Sequence, residues 1–320
     1  MSAWYDSHLV LIQSTFVGLL LALSIQFPLR MGVFSFAGVG SYGIGAYTAA
    51  IVISRYDTPA LPAIALGAVV AAVIGWLLSF LLARLGGLYL GMATIAFDLI
   101  ITVAATNGGD LTGGPTGLFG IIADFSMSEL VVFTVVALVL LALTERGRIG
   151  RRIGAVRDDP ELAASMGIKV RRYRQSAFVV SGILGGCAGA INTILRTTIG
   201  PTDIGFSLVV LALTMIIVGG ARSWLGALIG AVFFTWLPTV LTVVGDWQHL
   251  VYGTIVALAA IWVPGGVLGL ATTQYRKLEQ RKRIRDLEAT ARAEPKPATD
   301  AEDLAVLEEL VQSTPGGDAT

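Results

Sequence analysis

Residues Leu61–Ala83 read LPAIALGAVVAAVIGWLLSFLLA, a stretch of 23 residues that contains no charged side chain. An α-helix crosses the hydrocarbon core of a bilayer with about 20 apolar residues. A helix also satisfies its own backbone polar groups where no water is present. The stretch therefore predicts a transmembrane helix.

Eight further segments are apolar over most of a membrane span. They are Leu9–Phe27, Met31–Ile53, Leu88–Thr106, Glu129–Thr144, Ser176–Leu195, Gly205–Gly220, Ser223–Val244 and Gln248–Val263. We therefore expect an all-α polytopic membrane protein with about nine transmembrane helices. In Met31–Ile53 the glycine-rich run GVGSYGIGAY leaves open whether the segment is continuous, broken or re-entrant.

The composition agrees with a membrane location. Hydrophobic residues make up 55% of the chain and charged residues only 14%, with a mean hydropathy of +0.76. A soluble domain carries roughly a quarter of its residues as charges. The net charge of zero gives no field that attracts nucleic acid. The one cysteine and two histidines form no cluster at ligand spacing, so neither a metal site nor an intramembrane enzyme is expected.

Basic residues set the expected orientation. Residues 145–175 contain nine Lys and Arg, whereas residues 107–128 contain none. Lys and Arg concentrate in cytoplasmic loops. We therefore expect the loop at residues 145–175 in the cytoplasm, the N-terminus outside the cell and the C-terminus inside. Only Arg55 and Arg196 depart from this pattern.

Two regions follow from the change in composition along the chain. Residues 1–272 form the predicted transmembrane domain, including the cytoplasmic loop at residues 145–175. Residues 273–320 form a predicted cytoplasmic tail that is charged and largely disordered, because it has too few apolar residues to form a core.

A short helix is predicted within the cytoplasmic loop, in RDDPELAASMGI (Arg157–Ile168). Asp159 is suited to accept hydrogen bonds from free N–H groups at the helix start, and Pro160 suits the first helical position. Glu161 adds a favourable charge at the positive end of the helix dipole, and Gly167 suits a left-handed residue after the last turn. Such a short helix is marginal alone in water, so we expect it to dock onto a cytoplasmic partner.

The segment ELAASMG in this helix resembles the EAA-type coupling motif of ABC importer permeases, which contacts the ATPase subunit. Four segments resemble, in order, the landmarks of LivM-type permeases of the branched-chain amino acid uptake family, which also contains urea and short-amide relatives. They are GLYLGMATIAFDLI (Gly87–Ile100), LTGGPTGLFGI (Leu111–Ile121), GRRIGAVRDDPELAASMGIKVRRYRQSAFVVSGILGGCAGAI (Gly150–Ile191) and VGGARSWLGALIGA (Val218–Ala231).

The resemblance implies a set of partners and a set of coupling residues. The partners are a homologous second permease subunit, two ATPase subunits, an external solute-binding protein and the lipid of a bacterial cytoplasmic membrane. The implied ATPase-coupling residues are Asp159, Pro160, Glu161, Ala163, Ala164 and Gly167. No G-x-x-x-x-G-K-[ST] motif occurs in this sequence, so ATP and Mg are expected on the ATPase subunits and no cofactor on this chain.

Six residues are candidates for the substrate path: Thr94, Asp98, Asn107, Thr112, Gly113 and Gly114. Asp98 is predicted in mid-membrane, where a carboxylate is costly unless it is paired or faces a water-filled cavity. It either serves the path or forms a hydrogen bond between helices. The glycine-rich loop Asn107–Gly120 is either an outer gate or a connection stiffened by Pro115.

Glycines four residues apart, such as Gly182 and Gly186, predict close helix packing within the chain or against another subunit.

The sequence thus favours the permease subunit of an ATP-driven importer that translocates branched-chain amino acids and has no ATPase site of its own. One alternative is a urea or short-amide permease of the same family. Another is an ion-coupled secondary transporter, a class that uses broken helices and intramembrane ionisable groups such as Asp98.

Overall fold

The structure, a computed structural model, describes residues 2–221, 223–241, 247, 251, 253 and 254. Its α-helices are α1 (Ser2–Arg30), α2 (Ala37–Tyr56), α3 (Ala60–Leu81), α4 (Gly87–Asn107), α5 (Met127–Glu145), α6 (Gly147–Asp158), α7 (Pro160–Ser165), α8 (Val170–Arg196), α9 (Phe206–Gly219) and α10 (Trp224–Leu241). Two short strands, β1 (Leu118–Phe119) and β2 (Thr198–Ile199), pair antiparallel.

Within the described residues, eight helices are long and apolar enough to cross a membrane. They correspond to eight of the nine predicted segments, and they confirm an all-α polytopic membrane protein. The ninth predicted segment, Gln248–Val263, and the predicted tail at residues 273–320 lie outside the described residues apart from a few positions. The total of nine helices and the orientation of the termini therefore stay predictions.

Helices α2 and α8 form the centre of the molecule, and α8 packs along α1, α2 and α3. Glycines allow this close packing. A Cβ added at Gly189 would overlap the carbonyl oxygen of Tyr42, and one at Gly45 would overlap that of Gly186. Gly182 approaches α3 in the same way. In lipid such contact stabilises helix pairs through dispersion, because apolar burial drives little association there. This face of α8 therefore packs within the chain.

Helices α9 and α10 pack against each other and against α1. Their contact is equally close, since a Cβ at Gly230 would overlap the Met215 carbonyl oxygen and one at Gly226 would overlap that of Gly220. The small residues thus fix the spacing of this second group of helices as they do at the centre.

The outward faces of α3, α4 and α5 are apolar. Leu77, Val103 and Val139, one on each helix, are 54%, 58% and 52% exposed. A monomeric soluble protein rarely exposes apolar surface over such an extent. These faces are suited to lipid or to another membrane subunit.

The expectation for Met31–Ile53 needs a correction, because the segment is neither one full helix nor a helix broken at its glycines. Helix α1 continues to Arg30, a turn and a short irregular stretch follow, and α2 then runs without interruption from Ala37 to Tyr56. Its glycines keep helical geometry, and they remain in the helix because α4 and α8 pack closely against them. Packing has outweighed the low helix propensity of glycine.

Candidate functional site

Helix α7 begins and ends as its sequence predicts. Asp159 Oδ1 accepts hydrogen bonds from the backbone N–H groups of Glu161 at 3.0 Å and Leu162 at 2.9 Å. Pro160 is the first helical residue. Gly167 has a φ of +82°, which lets the N–H of Ile168 bond back to the Ala163 carbonyl at 3.0 Å. The helix therefore has a side-chain cap at its start and a backbone cap at its end.

The candidate coupling residues do not all face outward. Asp159, Glu161, Ala164 and Gly167 are exposed, whereas Ala163 is buried against the rest of the chain. Ala163 thus packs against the chain itself, and the coupling role of the six residues stays a prediction.

Sequence reasoning missed two exposed apolar residues, Leu162 in α7 and Met166 directly after its last residue. Leu162 and Met166 are 59% and 72% exposed. They are four residues apart, so they lie on one side of the helix. Their spacing in the sequence was the signal that could have identified them as apolar contacts for a partner.

Helix α6 was also missed, because its basic residues concealed a weak apolar spacing. Ile153 and Val156, three residues apart, are its buried residues. A Cβ added at Gly32, in the turn between α1 and α2, would lie 3.1 Å from the Arg157 Cα. Helix α6 thus packs against the turn between α1 and α2, at the end of the membrane domain that is predicted to face the cytoplasm, and α7 follows it directly.

A polar cluster joins three transmembrane helices next to the start of α6. Arg30 Nη1 forms an ion pair with Glu145 Oε1 at 3.0 Å, and Arg30 Nη2 donates to Thr144 Oγ1 at 2.5 Å. The same Glu145 oxygen accepts from the backbone N–H of Trp224 at 3.0 Å. Arg30 is 7% exposed, so the pair is largely removed from water. The cluster connects α1, α5 and α10.

Asp98 and Thr94 bond to the beginning of α2. Asp98 Oδ1 accepts from the Gly40 N–H at 2.7 Å, and Thr94 Oγ1 accepts from the Phe36 N–H at 3.0 Å. Thr94 also donates to the Gly91 carbonyl at 2.9 Å. These bonds satisfy backbone donors where helix α2 begins. Of the two roles left open for Asp98, the hydrogen bond between helices is present.

The second carboxylate oxygen of Asp98, Oδ2, is buried and has no hydrogen-bond partner among the described residues. A role for Asp98 in the substrate path therefore stays a prediction beside its contact with α2.

The remaining path candidates lie at the last residue of α4, Asn107, and in the loop that follows it. Thr112 Oγ1 donates to the Ala105 carbonyl at 2.7 Å, and the Asn107 amide donates to the Val103 carbonyl at 2.9 Å. Gly113 and Gly114 have φ values of +74° and +59°, in the left-handed region that favours glycine. Strand β1, at the end of this loop, pairs with β2 after α8.

The structure does not bring all six path candidates together. Asn107 lies nine positions after Asp98 in α4, which corresponds to about 14 Å along the helix. Thr94 and Asp98 therefore form one group at α2, and Asn107, Thr112, Gly113 and Gly114 form another at the end of α4 and in the following loop.

Comparison with known proteins agrees with a membrane protein of many helices. Residues 9–261 match the family described as the permease component of branched-chain amino acid transport systems. The chain belongs to this permease family. Permeases of the family are transport components of ABC importers, which work with ATPase and solute-binding partners. The chain is accordingly a multi-pass membrane protein and a transport subunit.

Several permeases with assigned substrates are similar to the chain. The high-affinity branched-chain amino acid permease LivM of Escherichia coli is 26% identical, over 82% of this chain and 70% of its own length. A probable branched-chain amino acid permease LivH of Methanocaldococcus jannaschii is 27% identical, over 75% and 84%. The ribose import permease RbsC of Escherichia coli is 26% identical, over 68% and 73%. No solved structure matches the chain.

Proposed function

We propose that this permease passes branched-chain amino acids across a bacterial cytoplasmic membrane, driven by ATP hydrolysis on two partner ATPase subunits. An external solute-binding protein delivers the amino acid, and a homologous second permease completes the membrane part. The similarity to LivM supports the substrate, although the similarity to RbsC means that family membership alone does not identify it.

The observation that carries the ATP-driven mechanism is the geometry of α7. Its N-cap and C-terminal turn make a short helix rigid, and its exposed side presents Leu162 and Met166. Apolar side chains on an exposed helix face are suited to a groove in a partner. The ATPase subunits are that partner in the proposal, and α7 is where their movement reaches the permease.

The path from α7 to the membrane runs through α6 and the Arg30–Glu145 pair. Glu145 is the last residue of α5, and α6 starts two residues later. A displacement of α7 and α6 thus acts on a buried ion pair that also includes α1 and α10. This arrangement supports the transfer of motion from the ATPase to several helices together.

The proposal is tested with the whole complex in proteoliposomes: this chain, the second permease, the ATPase subunits and the binding protein. We expect uptake of labelled leucine, isoleucine or valine that requires internal ATP and the external binding protein. Uptake without ATP that follows a proton or sodium gradient would support the ion-coupled alternative. A binding protein that retains urea or a short amide, and delivers it for uptake, would support the alternative of a urea or short-amide permease.

A further inference from the structure

A cavity of about 420 Å³ lies between α1, α2, α8, α9, α10 and the turn Pro201–Ile204. Small-molecule sites have volumes of roughly 300–1,000 Å³. None of the six path candidates from the sequence lines this cavity. It is therefore separate from Asp98 and from the glycine-rich loop.

Two side chains of opposite charge line the cavity. Arg196 is in the last turn of α8, which ends where Thr197 adopts a φ of +57°. Asp203 lies in the following turn, and its Oδ2 accepts from the Gly200 N–H at 2.8 Å. That bond fixes the orientation of the carboxylate. In the described part of the chain, the Arg196 guanidinium and Asp203 Oδ1 have no hydrogen-bond or ion-pair partner.

The cavity has apolar walls beside these charges. Leu208, Leu211 and Met215 line it from α9, and Leu21 lines it from α1. Asn192, one turn before Arg196 on α8, adds a polar amide. The cavity thus offers a cation, an anion and an aliphatic surface to one molecule.

We propose that this cavity binds the amino acid in transit: Arg196 binds its carboxylate, Asp203 its ammonium group, and the α9 residues its aliphatic side chain. The proposal rests on the proposed function and adds the binding site to it. Charge-assisted hydrogen bonds to both ends favour a zwitterion. Urea or a short amide has no full charge at either end, so it would form neither ion pair and would gain less from Arg196 and Asp203 than an amino acid does.

The position of Arg196 supports the proposal. Arg196 and Arg55 are the two arginines that depart from the expected distribution of positive charge. Arg55 has a structural contact, since it donates to the Asp110 carbonyl at 3.0 Å. Arg196 is exposed, lines the cavity and has no such contact among the described residues, so its guanidinium is free to bind a ligand there.

The test measures uptake by the complete complex in proteoliposomes with Arg196→Gln and Asp203→Asn. Each variant removes one charge and keeps a polar side chain. We expect uptake of leucine to fall by about ten-fold or more, because each variant loses one charge-assisted bond to the ligand. Arg55→Gln is the matched control, and its uptake should stay within about two-fold of wild type, as expected for an exposed contact.

Binding of the solute-binding protein to the complex is measured in parallel. Lost uptake with unchanged binding of that protein supports a site for the amino acid. Lost uptake together with lost binding would overturn the proposal, because the charges would then belong to a docking surface. Normal uptake in both variants would overturn it too. Failure of the wild-type complex to transport any branched-chain amino acid would instead overturn the proposed function.

A second measurement does not depend on transport. In a Cys187→Ser background, Ser14→Cys places a thiol in the cavity, and Ser24→Cys places one on the same helix at a fully buried position. We expect a small water-soluble thiol reagent to modify the first variant and not the second, and leucine delivered by the binding protein to slow the modification. An unreactive Ser14→Cys variant in an assembled complex would show that the cavity excludes water and overturn the proposal.

Discussion

At the scale of single residues, two aspartates have related structural tasks and different surroundings. Asp159 caps an exposed helix that is expected in water, whereas Asp98 accepts a hydrogen bond from another helix while it is 2% exposed. An unsatisfied N–H group costs little where water replaces the lost acceptor, and about 1–3 kcal/mol where it is buried. Substituting Asp159 therefore tests the stability of one short helix, whereas substituting Asp98 tests a buried contact between two helices.

For Asp159 we expect Asp159→Ala to destabilise α7 by about 1 kcal/mol, the usual cost of a lost N-cap. The membrane part should assemble normally, while ATPase association and uptake decrease. Affinity of the purified permease pair for the ATPase subunits is the measurement. Asp159→Asn, which keeps an acceptor at the same position, is the control and should bind nearly as well as wild type. Equal affinity for all three forms would remove α7 from the coupling surface.

For Asp98 we expect Asp98→Asn to assemble and to keep most uptake, because an amide oxygen still accepts from the Gly40 N–H. Asp98→Leu removes that acceptor and should lower stability by about 1–3 kcal/mol. Thermal unfolding of the detergent-solubilised complex and uptake are measured together. If Asp98→Asn assembles normally but loses transport, the charge itself serves the path.

At the scale of elements, glycines set the distance between helices. Helices α2 and α8 approach so closely that a single methyl group at Gly189 would overlap the backbone of Tyr42. A helix backbone cannot yield as a flexible side chain does, so overpacking at such a place has to separate the two helices.

We expect Gly189→Ala to lower the stability of the complex by about 3 kcal/mol, at the upper end of overpacking effects. The yield of assembled permease should fall as well. Gly154→Ala is the matched control, because a Cβ there has no neighbour within 4 Å. It should be neutral or stabilising by up to about 1 kcal/mol, as alanine is the better helix former. Similar unfolding temperatures for both variants would contradict the close contact of α2 with α8.

At the scale of the whole molecule, the ion pair of Arg30 and Glu145 unites three transmembrane helices at the base of α6. The exposed ion pair of Arg157 and Asp158 does not connect separate helices, since the two residues are neighbours in α6. A buried pair that bonds to several elements resists separation of those elements, whereas an exposed pair contributes little.

We expect Glu145→Ala to destabilise the complex by about 1.5–3 kcal/mol, because it leaves Arg30 largely buried without its anion. The number of amino acids transported per ATP should decrease as well, since α6 loses its tie to α1 and α10. Asp158→Ala is the control and should change stability by less than about 1 kcal/mol. Unchanged transport per ATP in a destabilised Glu145→Ala complex would limit the pair to a structural role.

The amino-acid sequence alone was enough to predict the eight described membrane helices and the two ends of the short helix α7. Apolar composition over about 20 residues and the chemistry of caps are local properties, so they can be read along the chain. Asp159, Pro160 and Gly167 were accordingly predicted with their structural positions.

Contacts between residues far apart in the sequence became visible in the folded chain alone. The Gly40 N–H reaches Asp98 across 58 positions of the chain, and Arg30 reaches Glu145 across 115. The cavity at Arg196 is formed by five helices, none of which carries a recognisable site alone. Such contacts depend on the distances and rotations of packed helices, and close glycine contacts set these. The composition of one segment does not predict these contacts, because each contact also depends on the surface of a second helix.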